Sequence, residues 1–300
     1  MSHTPVLLHE VIKFLEPRSG EFFIDGTVDG GGHAAEIFKR ISPGGTLLGI
    51  DWDETMLENS ESRIRNSDSA MGNRKAKLIL RQGNYADLPE ILKKEKLPKA
   101  DDLLLDLGFS SEQSEASGRG FSFMKNEPLL MTYDSSRKPV KEIIRDTNEE
   151  MLAKIIFELS GERFSRQIAR AIKEQGRRKL IETTGELSEA ITRAVPGNYE
   201  RGRINPATRT FQALRIYAND ELENLEKVLK HLPEILKSGG RAAVITFHSL
   251  EDRIVKNGFR EMGKENVLHI LTKKPVPPSA DEIRKNPRSR SAKLRAAVIT

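Results

Sequence analysis

Asp25, Asp51, Tyr85 and Asp106 each stand at or just beyond the end of a short apolar run. The runs are Phe22 to Ile24, Thr46 to Ile50, Lys77 to Leu80 and the three leucines within Asp101 to Gly108. Such runs predict buried strands, and in open α/β sheets ligands bind beyond the carboxyl ends of the strands, so the four residues are expected to converge on one crevice. Between the first two runs, Gly30-Gly31-Gly32 permits a tight turn, and Ala34 to Arg40 has helical spacing. An acid about 20 residues after such a turn is placed to accept hydrogen bonds from ribose hydroxyls, which assigns that part to Asp51. Gly30, Gly32 and Ala35 also satisfy the spacing of dinucleotide binders. Charge separates the two readings. Asp25 and Asp29 flank the glycines and would face a pyrophosphate, and one like-charge pair at roughly 4 Å and an effective dielectric of about 20 costs on the order of 4 kcal/mol before screening. S-adenosylmethionine carries an ammonium and a sulfonium, and reverses the sign. His33, taken alone, reads as a capping or packing residue.

The elements that must position these residues can be followed in order. Val6 to Leu15 reads as an amphipathic helix ahead of the first strand, closed by Pro17 and Gly20. Tyr85 follows the third strand and offers a π-face for an adenine or for the core. From about Val140 to Pro206 helical patterns follow one another without strands, the expectation for an inserted lobe. Its cations Arg163, Arg166, Arg170, Lys173, Arg177, Arg178 and Lys179 have few acidic neighbours in sequence and suit either a solvated face or a phosphate backbone. Arg119-Gly120-Phe121-Ser122-Phe123 could stack on a base or plug the lobe's floor. After Asn205 one long helix is expected to carry Leu214, Leu222, Leu225, Leu229, Leu232 and Leu236, ending at Gly239-Gly240. Strands over Arg241 to Phe247, Val267 to Leu271 and Leu294 to Ile299 bring the count to seven, against six in the dinucleotide fold. Arg284, Lys285, Arg288, Arg290 and Lys293 form a second basic segment.

Composition narrows the class. In 300 residues there is no cysteine, so disulfide frameworks and thiolate metal sites are excluded. The six histidines show no ligand spacing, and no metal is expected. The N-terminus lacks a cationic start followed by a long apolar core, and no apolar run approaches the length of a membrane span. These features lead to the expectation of a cytoplasmic chain with no membrane partner. A formal net charge of +5 is compatible with a polyanionic partner.

Several stretches together resemble a known family. They are His3 to Leu8 with Glu10 (HTPVLLHE), Gly31-Gly32-His33, Leu104 to Gly108 (LLDLG), Arg119 to Phe123 (RGFSF), Gly161 to Ile172 (GERFSRQIARAI), Asn205 to Ile216 (NPATRTFQALRI), Thr246 to Lys256 (TFHSLEDRIVK) and Asn286 to Ala297 (NPRSRSAKLRAA). Over essentially its full length the chain resembles the ribosomal RNA small subunit methyltransferase H family, also called MraW. The resemblance implies a class I S-adenosylmethionine-dependent methyltransferase: an α/β, Rossmann-like seven-stranded sheet with an inserted all-helical domain. It implies methyltransferase segments at residues 1–112 and 208–300 around a substrate-recognition insert at 113–207. The implied reaction is methylation of the exocyclic N4 of one cytidine in the decoding region of 16S rRNA, with the small ribosomal subunit as partner; a dimer stays open. By motif position, cofactor contacts would fall on Gly31, Gly32, His33, Asp51, Tyr85, Asp106 and Gln113, the last suggested only by the family. Asp106 is also the catalytic candidate, as an acceptor beside the target amine, with Phe121, Phe123 and His248 as stacking candidates. The sequence departs from the family pattern at Asp29, where glycine is usual, at Glu54, where proline is common, just after Gln113, where the usual Leu-Asp is missing, and over Pro128 to Asp134 (PLLMTYD), where an acid and an arginine are replaced. Those departures motivate one rival, an RNA-binding assembly factor with a decayed site. A nicotinamide-dependent oxidoreductase is the other.

Overall fold

The structure is a computed structural model and describes residues 4–67, 76–108 and 118–300, with Arg201 described by its backbone alone. The chain divides into two compact units, one built from residues 1–110 and 222–300 and the other from residues 111–221.

The first unit contains a seven-stranded sheet of order β3-β2-β1-β4-β5-β7-β6. The strands are β1 (Phe22–Asp25), β2 (Thr46–Asp51), β3 (Lys77–Gln82), β4 (Ala100–Asp106), β5 (Leu236–Thr246), β6 (Leu268–Ile270) and β7 (Lys293–Ile299). β1 to β5 pair in parallel, and β7 runs antiparallel between β5 and β6. This is the mixed, Rossmann-like sheet of class I S-adenosylmethionine-dependent methyltransferases, and the sequence expectation of that fold holds. Alternation of side chains along buried strands supplies two cores. Ile24, Leu48, Leu103, Leu105 and Val244 face one side, and Phe23, Leu47, Leu104, Ala243 and Ile245 the other. The order of the strands reverses between β1 and β4, because β2 and β3 lie on one side of β1 while β4 and β5 lie on the other. A reversal of this kind opens a crevice above the carboxyl ends.

Helices α1 (Leu8–Leu15), α2 (Gly32–Ile41), α3 (Glu54–Asn66) and α4 (Leu88–Glu95) accompany the first four strands. Each covers the sheet with an apolar face: Val11 and Leu15 on α1, Ile37, Phe38 and Ile41 on α2, Leu57 and Ile64 on α3, and Leu88 and Leu92 on α4 are buried.

The second unit is helical. α5 (Val140–Asp146), α6 (Glu149–Ser160), α7 (Ser165–Arg178), α8 (Thr184–Ala194) and α9 (Ala207–Asn219) enclose their own core of Val140, Ile143, Leu152, Ile156, Ile168, Leu187, Ile191, Phe211 and Leu214. α8 opens on a capping box, with the Thr183 side chain and Glu186 satisfying each other's backbone N–H groups. The single long helix expected after Asn205 is broken. α9 ends at Asp220, which takes a left-handed φ of 51°, and α10 (Glu221–Lys230) and the short α11 (Leu232–Ile235) follow, the latter carrying Pro233 in its first turn. The break separates the two cores: Phe211 and Leu214 pack in the helical unit, and Leu225, Val228 and Leu229 in the sheet unit. The boundary between the units therefore lies after Glu221, whereas the sequence suggested 207/208.

Two further expectations change. Phe121 stacks on Tyr133 with ring centroids 5.0 Å apart, and Phe123 meets Phe211 edge-on at 5.4 Å, so both aromatics pack in the helical core. The departing segment Pro128 to Asp134 is part of the same core. Leu129 and Met131 are fully buried, and Asn219 fastens the segment by donating to the Met131 carbonyl and accepting from the Tyr133 N–H. α12 (Ser249–Lys264) and α13 (Ala280–Lys285) complete the described helices. Among the described residues no helix is long and apolar enough to cross a membrane.

Candidate active site

The turn after β1 is stitched to the ends of two neighbouring strands, β4 and β2, by its backbone. Gly26 N–H donates to the Leu104 carbonyl at 2.9 Å, Val28 N–H to the Ile50 carbonyl at 3.0 Å, and Gly31 N–H closes the turn on the Val28 carbonyl at 2.8 Å. A Cβ on Gly26 would come within 2.5 Å of Leu105 and 3.2 Å of the Tyr85 Cβ, so only glycine lets this turn pass between β4 and the segment after β3. Asp29 adopts φ 47°, which explains why glycine suits its position and why Asp, tolerated in the left-handed region, can replace it. Gly31 lies at φ 71° immediately before α2.

Asp51 is held by the turn it faces. Its Oδ2 accepts the Asp29 N–H at 2.8 Å and its Oδ1 the Asp53 N–H at 2.9 Å, while Asp53 caps α3 through the Thr55 N–H. The acid at the end of β2 is thus fixed in orientation, with further lone pairs on both oxygens. Asp106, at the end of β4, sits in a cluster of other acids. Its N–H donates to the Thr27 hydroxyl at 2.7 Å, its Oδ1 receives a long contact of 3.4 Å from the Gly108 N–H, and its Oδ2 lies 3.7 Å from His33 Nδ1. Asp25 accepts the Thr27 N–H on Oδ1, and its Oδ2 is buried without a hydrogen-bond partner. Tyr85 is buried beside Gly26 and belongs to the sheet core. Gly31, Gly32 and His33 form the entry to α2, where a Cβ on Gly32 would press on Pro5 at 3.1 Å. The strand ends thus bring together Asp25, Asp51, Tyr85 and Asp106, with Gly31, Gly32 and His33 at the mouth of α2. Gln113 lies outside the described residues.

The electrostatics of the crevice are those of uncompensated acids. Burial pushes the Asp25 carboxyl up to about 7, and the Asp51 charge adds to the rise. Asp51 is raised to about 6 by burial, with backbone N–H donors holding it back. Asp106 is pushed up to about 8, mainly by burial, while the Gly108 N–H opposes the rise and the Asp25 and Glu251 charges add to it. Among the described residues no Lys or Arg pairs with any of the three. A ligand carrying positive charge would relieve this arrangement, and a pyrophosphate would aggravate it. The orphan oxygen of Asp25 and the acid cluster around it therefore fit S-adenosylmethionine, whose cations they could face.

Two residues of the crevice were not singled out from the sequence. Thr27 anchors Asp106, and Glu251 raises its proton affinity. Glu251 had a readable signal: His248-Ser-Leu-Glu251 has capping-box spacing, and in the structure Glu251 Oε2 accepts the Phe247 N–H at 2.7 Å while His248 Nδ1 accepts the Glu251 N–H at 3.3 Å. His248 Nε2 lies 2.8 Å from Glu251 Oε1 but out of hydrogen-bond alignment. The imidazole suggested as a stacking surface is instead the cap of α12, with its side chain largely buried.

The MraW methylase family model matches residues 1–300. Proteins named ribosomal RNA small subunit methyltransferase H are similar along the whole chain. That of Syntrophus aciditrophicus (strain SB) is 43% identical, covering 98% of this chain and 96% of that protein. That of Thermotoga neapolitana is 44% identical over 99% and 96%, and that of Synechocystis sp. 45% identical over 98% and 92%. Together with the sheet order and the acidic crevice at its switch point, these similarities show that the chain belongs to the MraW methylase family.

Proposed function

We propose that the protein transfers a methyl group from S-adenosylmethionine to the exocyclic N4 of one cytidine in the decoding region of 16S rRNA, in the context of the small ribosomal subunit. The observation that carries the cofactor half of this reading is the crevice of three buried carboxylates with no Lys or Arg partner among the described residues. The RNA half rests on the names of the full-length relatives.

The cofactor, when bound, supplies a methyl group activated by attachment to a positively charged sulfur. Asp51 would accept the ribose hydroxyls on oxygens that Asp29 and Asp53 already orient. Tyr85 would lie against the adenine, and Gly31, Gly32, His33 and Gln113 would complete the contacts. Asp25 and Asp106 would balance the positive charge. The N4 amine of cytosine is a weak nucleophile because its lone pair is delocalised into the ring, so holding it in line for transfer supplies much of the rate. Asp106 would accept a hydrogen bond from that amine as positive charge develops on it, which makes Asp106 the catalytic residue of the proposal. A base must leave its stack to enter such a crevice.

The helical unit, residues 111–221, is the proposed RNA-recognition element. Acids from other helices reach part of its basic run, as Arg170 lies 3.5 Å from Glu149 and Lys179 pairs with Glu186, while Lys173 donates to the carbonyls of Ile144, Arg145 and Thr147 at the C-terminal end of α5. Arg166, Arg177 and Arg178 are exposed with no acidic partner among the described residues, and would take the phosphates.

The test is a transfer assay with labelled S-adenosylmethionine and small subunits lacking the modification, with nucleosides identified by mass spectrometry. Formation of N4-methylcytidine at one site, lost in Asp106→Ala, is expected. Absence of transfer despite cofactor and subunit binding would overturn the proposal.

A further inference from the structure

We propose that the outer face of α12 is a phosphate track, a row of four cations along which one strand of the ribosomal RNA lies at the edge of the crevice. The inference deepens the RNA half of the reading above and rests on it. It places a contact surface on the sheet unit, in addition to the arginines of the helical unit.

The sequence of α12 sets the row. Arg253, Lys256, Arg260 and Lys264 follow one another at steps of three, four and four residues, and at 3.6 residues per turn they fall within about 80° of arc. They rise by about 16 Å along the helix, in steps of about 4.5 to 6 Å. All four are exposed. Across the helix Val255 and Phe259 are buried in the sheet core, with Ile254 and Met262 packed against it, so the row is held outward.

A merely solvated helix face interleaves acids with its bases at spacings of three and four. This one does not. Lys256, Arg260 and Lys264 stand four apart, so each meets a like charge on the next turn, an arrangement that costs the helix stability. The acids of the same helix and its end are engaged elsewhere. Glu251 is buried at the cap, Asp252 pairs with Arg295 at 2.7 Å and lies 3.7 Å from Lys293, and Glu261 and Glu265 line the groove between α12 and α10. Among the described residues none of the four cations has an ion-pair partner.

Uncompensated cations at nearly one per turn suit a partner that carries one negative charge per repeat along a line. A nucleic-acid strand is charged once per nucleotide, whereas an acidic protein surface carries its charges without that period. The topology gives the row its place. α12 begins directly after β5, and β5 pairs with β4 so that Ile245 lies level with Asp106. The Arg253 end therefore starts beside the carboxyl ends of the strands, and the row runs away from them. A strand laid on it is fixed in position while its bases stay unread, because phosphate contacts position and do not specify.

The test compares two triple variants of the full chain, each removing three positive charges. Lys256→Gln, Arg260→Gln and Lys264→Gln together empty most of the row. Lys93→Gln, Lys94→Gln and Lys96→Gln remove the same charge from exposed positions at the end of α4. Binding to small ribosomal subunits is measured at several salt concentrations between about 50 and 200 mM. The row variant is expected to bind about tenfold more weakly and to lose about 0.7 in salt slope for each phosphate released, about 2 in all. Its S-adenosylmethionine Kd should stay at the wild-type value and its melting temperature should not fall. The α4 variant should change the slope by less than half as much. Hydroxyl-radical footprinting should show a short run of consecutive nucleotides that loses protection in the row variant alone. Equal changes in the two variants would reduce the row to net charge and overturn the track. Weakened binding at an unchanged slope would assign the row to a contact other than phosphate and overturn it too. Both results leave the methyl-transfer reading intact. If the unsubstituted protein binds no ribosomal RNA, that reading fails and the track falls with it.

Discussion

Asp106, Asp25 and Asp51 pay for their position in proton affinity, and this makes the site's chemistry measurable as stability. Asp106 is raised to about 8 in the folded protein, against about 3.9 for a free aspartate. Below about pH 4 both states hold the proton and the group has no effect. Between about 4 and 8 the folded state keeps a proton that the unfolded chain has released, so stability falls as pH rises, and above 8 the loss is complete. Asp106→Asn cannot ionise. In ligand-free protein it is expected to melt several degrees higher than wild type at pH 8.5, on the order of a few kcal/mol at most, with the difference shrinking toward pH 4. Equal melting temperatures across that range in a calorimetric scan would show that Asp106 is not buried as an acid. The placement of Asp25, Asp51 and Asp106 was legible because each follows an apolar run. The placement of His33 beside Asp106 was not, because nothing in Gly-Gly-His indicates that the Val6 carbonyl will hold the ring.

At the scale of elements, the turn before α2 concentrates the backbone requirements. Gly31 combines φ 71° with a neighbour, Ser60, whose Cβ would lie 3.0 Å from an added Cβ. Gly31→Ala is expected to destabilise the fold by about 1–3 kcal/mol through strain and crowding and to weaken cofactor binding more than tenfold. Chemical denaturation and a binding titration check the two effects separately. Thr183→Ala, at the capping box of α8, should cost about 1 kcal/mol and leave cofactor affinity unchanged. The strands were readable from their leucine and isoleucine runs, and β1 and β2 were found to within one residue. The long leucine stripe after Asn205 misled because helical spacing continues in phase across Asp220, and only backbone conformation shows that the stripe serves two cores. The Arg119 to Phe123 segment was ambiguous for a related reason: aromatics beside a cation suit a base or a core equally, and only the structure shows Tyr133 and Phe211 against them.

For the whole molecule, net charge was a weaker guide than the pairing of individual cations. Arg284 pairs with Asp281, and Lys293 lies 3.7 Å from Asp252, so the C-terminal basic segment is partly engaged in internal pairs. Asp252, remote in sequence from Lys293, could not have been matched to it from the order of residues alone, whereas Asp281 stands three residues before Arg284. Charge reversal of Arg166, Arg177 and Arg178 together is expected to weaken RNA binding and reduce its salt dependence, by about 0.7 in slope for each phosphate that is no longer neutralised on single-stranded RNA. Cofactor affinity should not change. An unaltered salt slope in filter binding would remove these arginines from the interface. The central claim, that an acidic crevice at the switch point of the sheet exists to hold a cationic cofactor, is most directly tested by calorimetric titration of S-adenosylmethionine between pH 5.5 and 8.5 in buffers of different ionisation enthalpy. The account predicts affinity that rises with pH and proton release on binding, because Asp25, Asp51 and Asp106 must ionise to meet the ligand's charge. Affinity independent of pH, with no proton released, would contradict it.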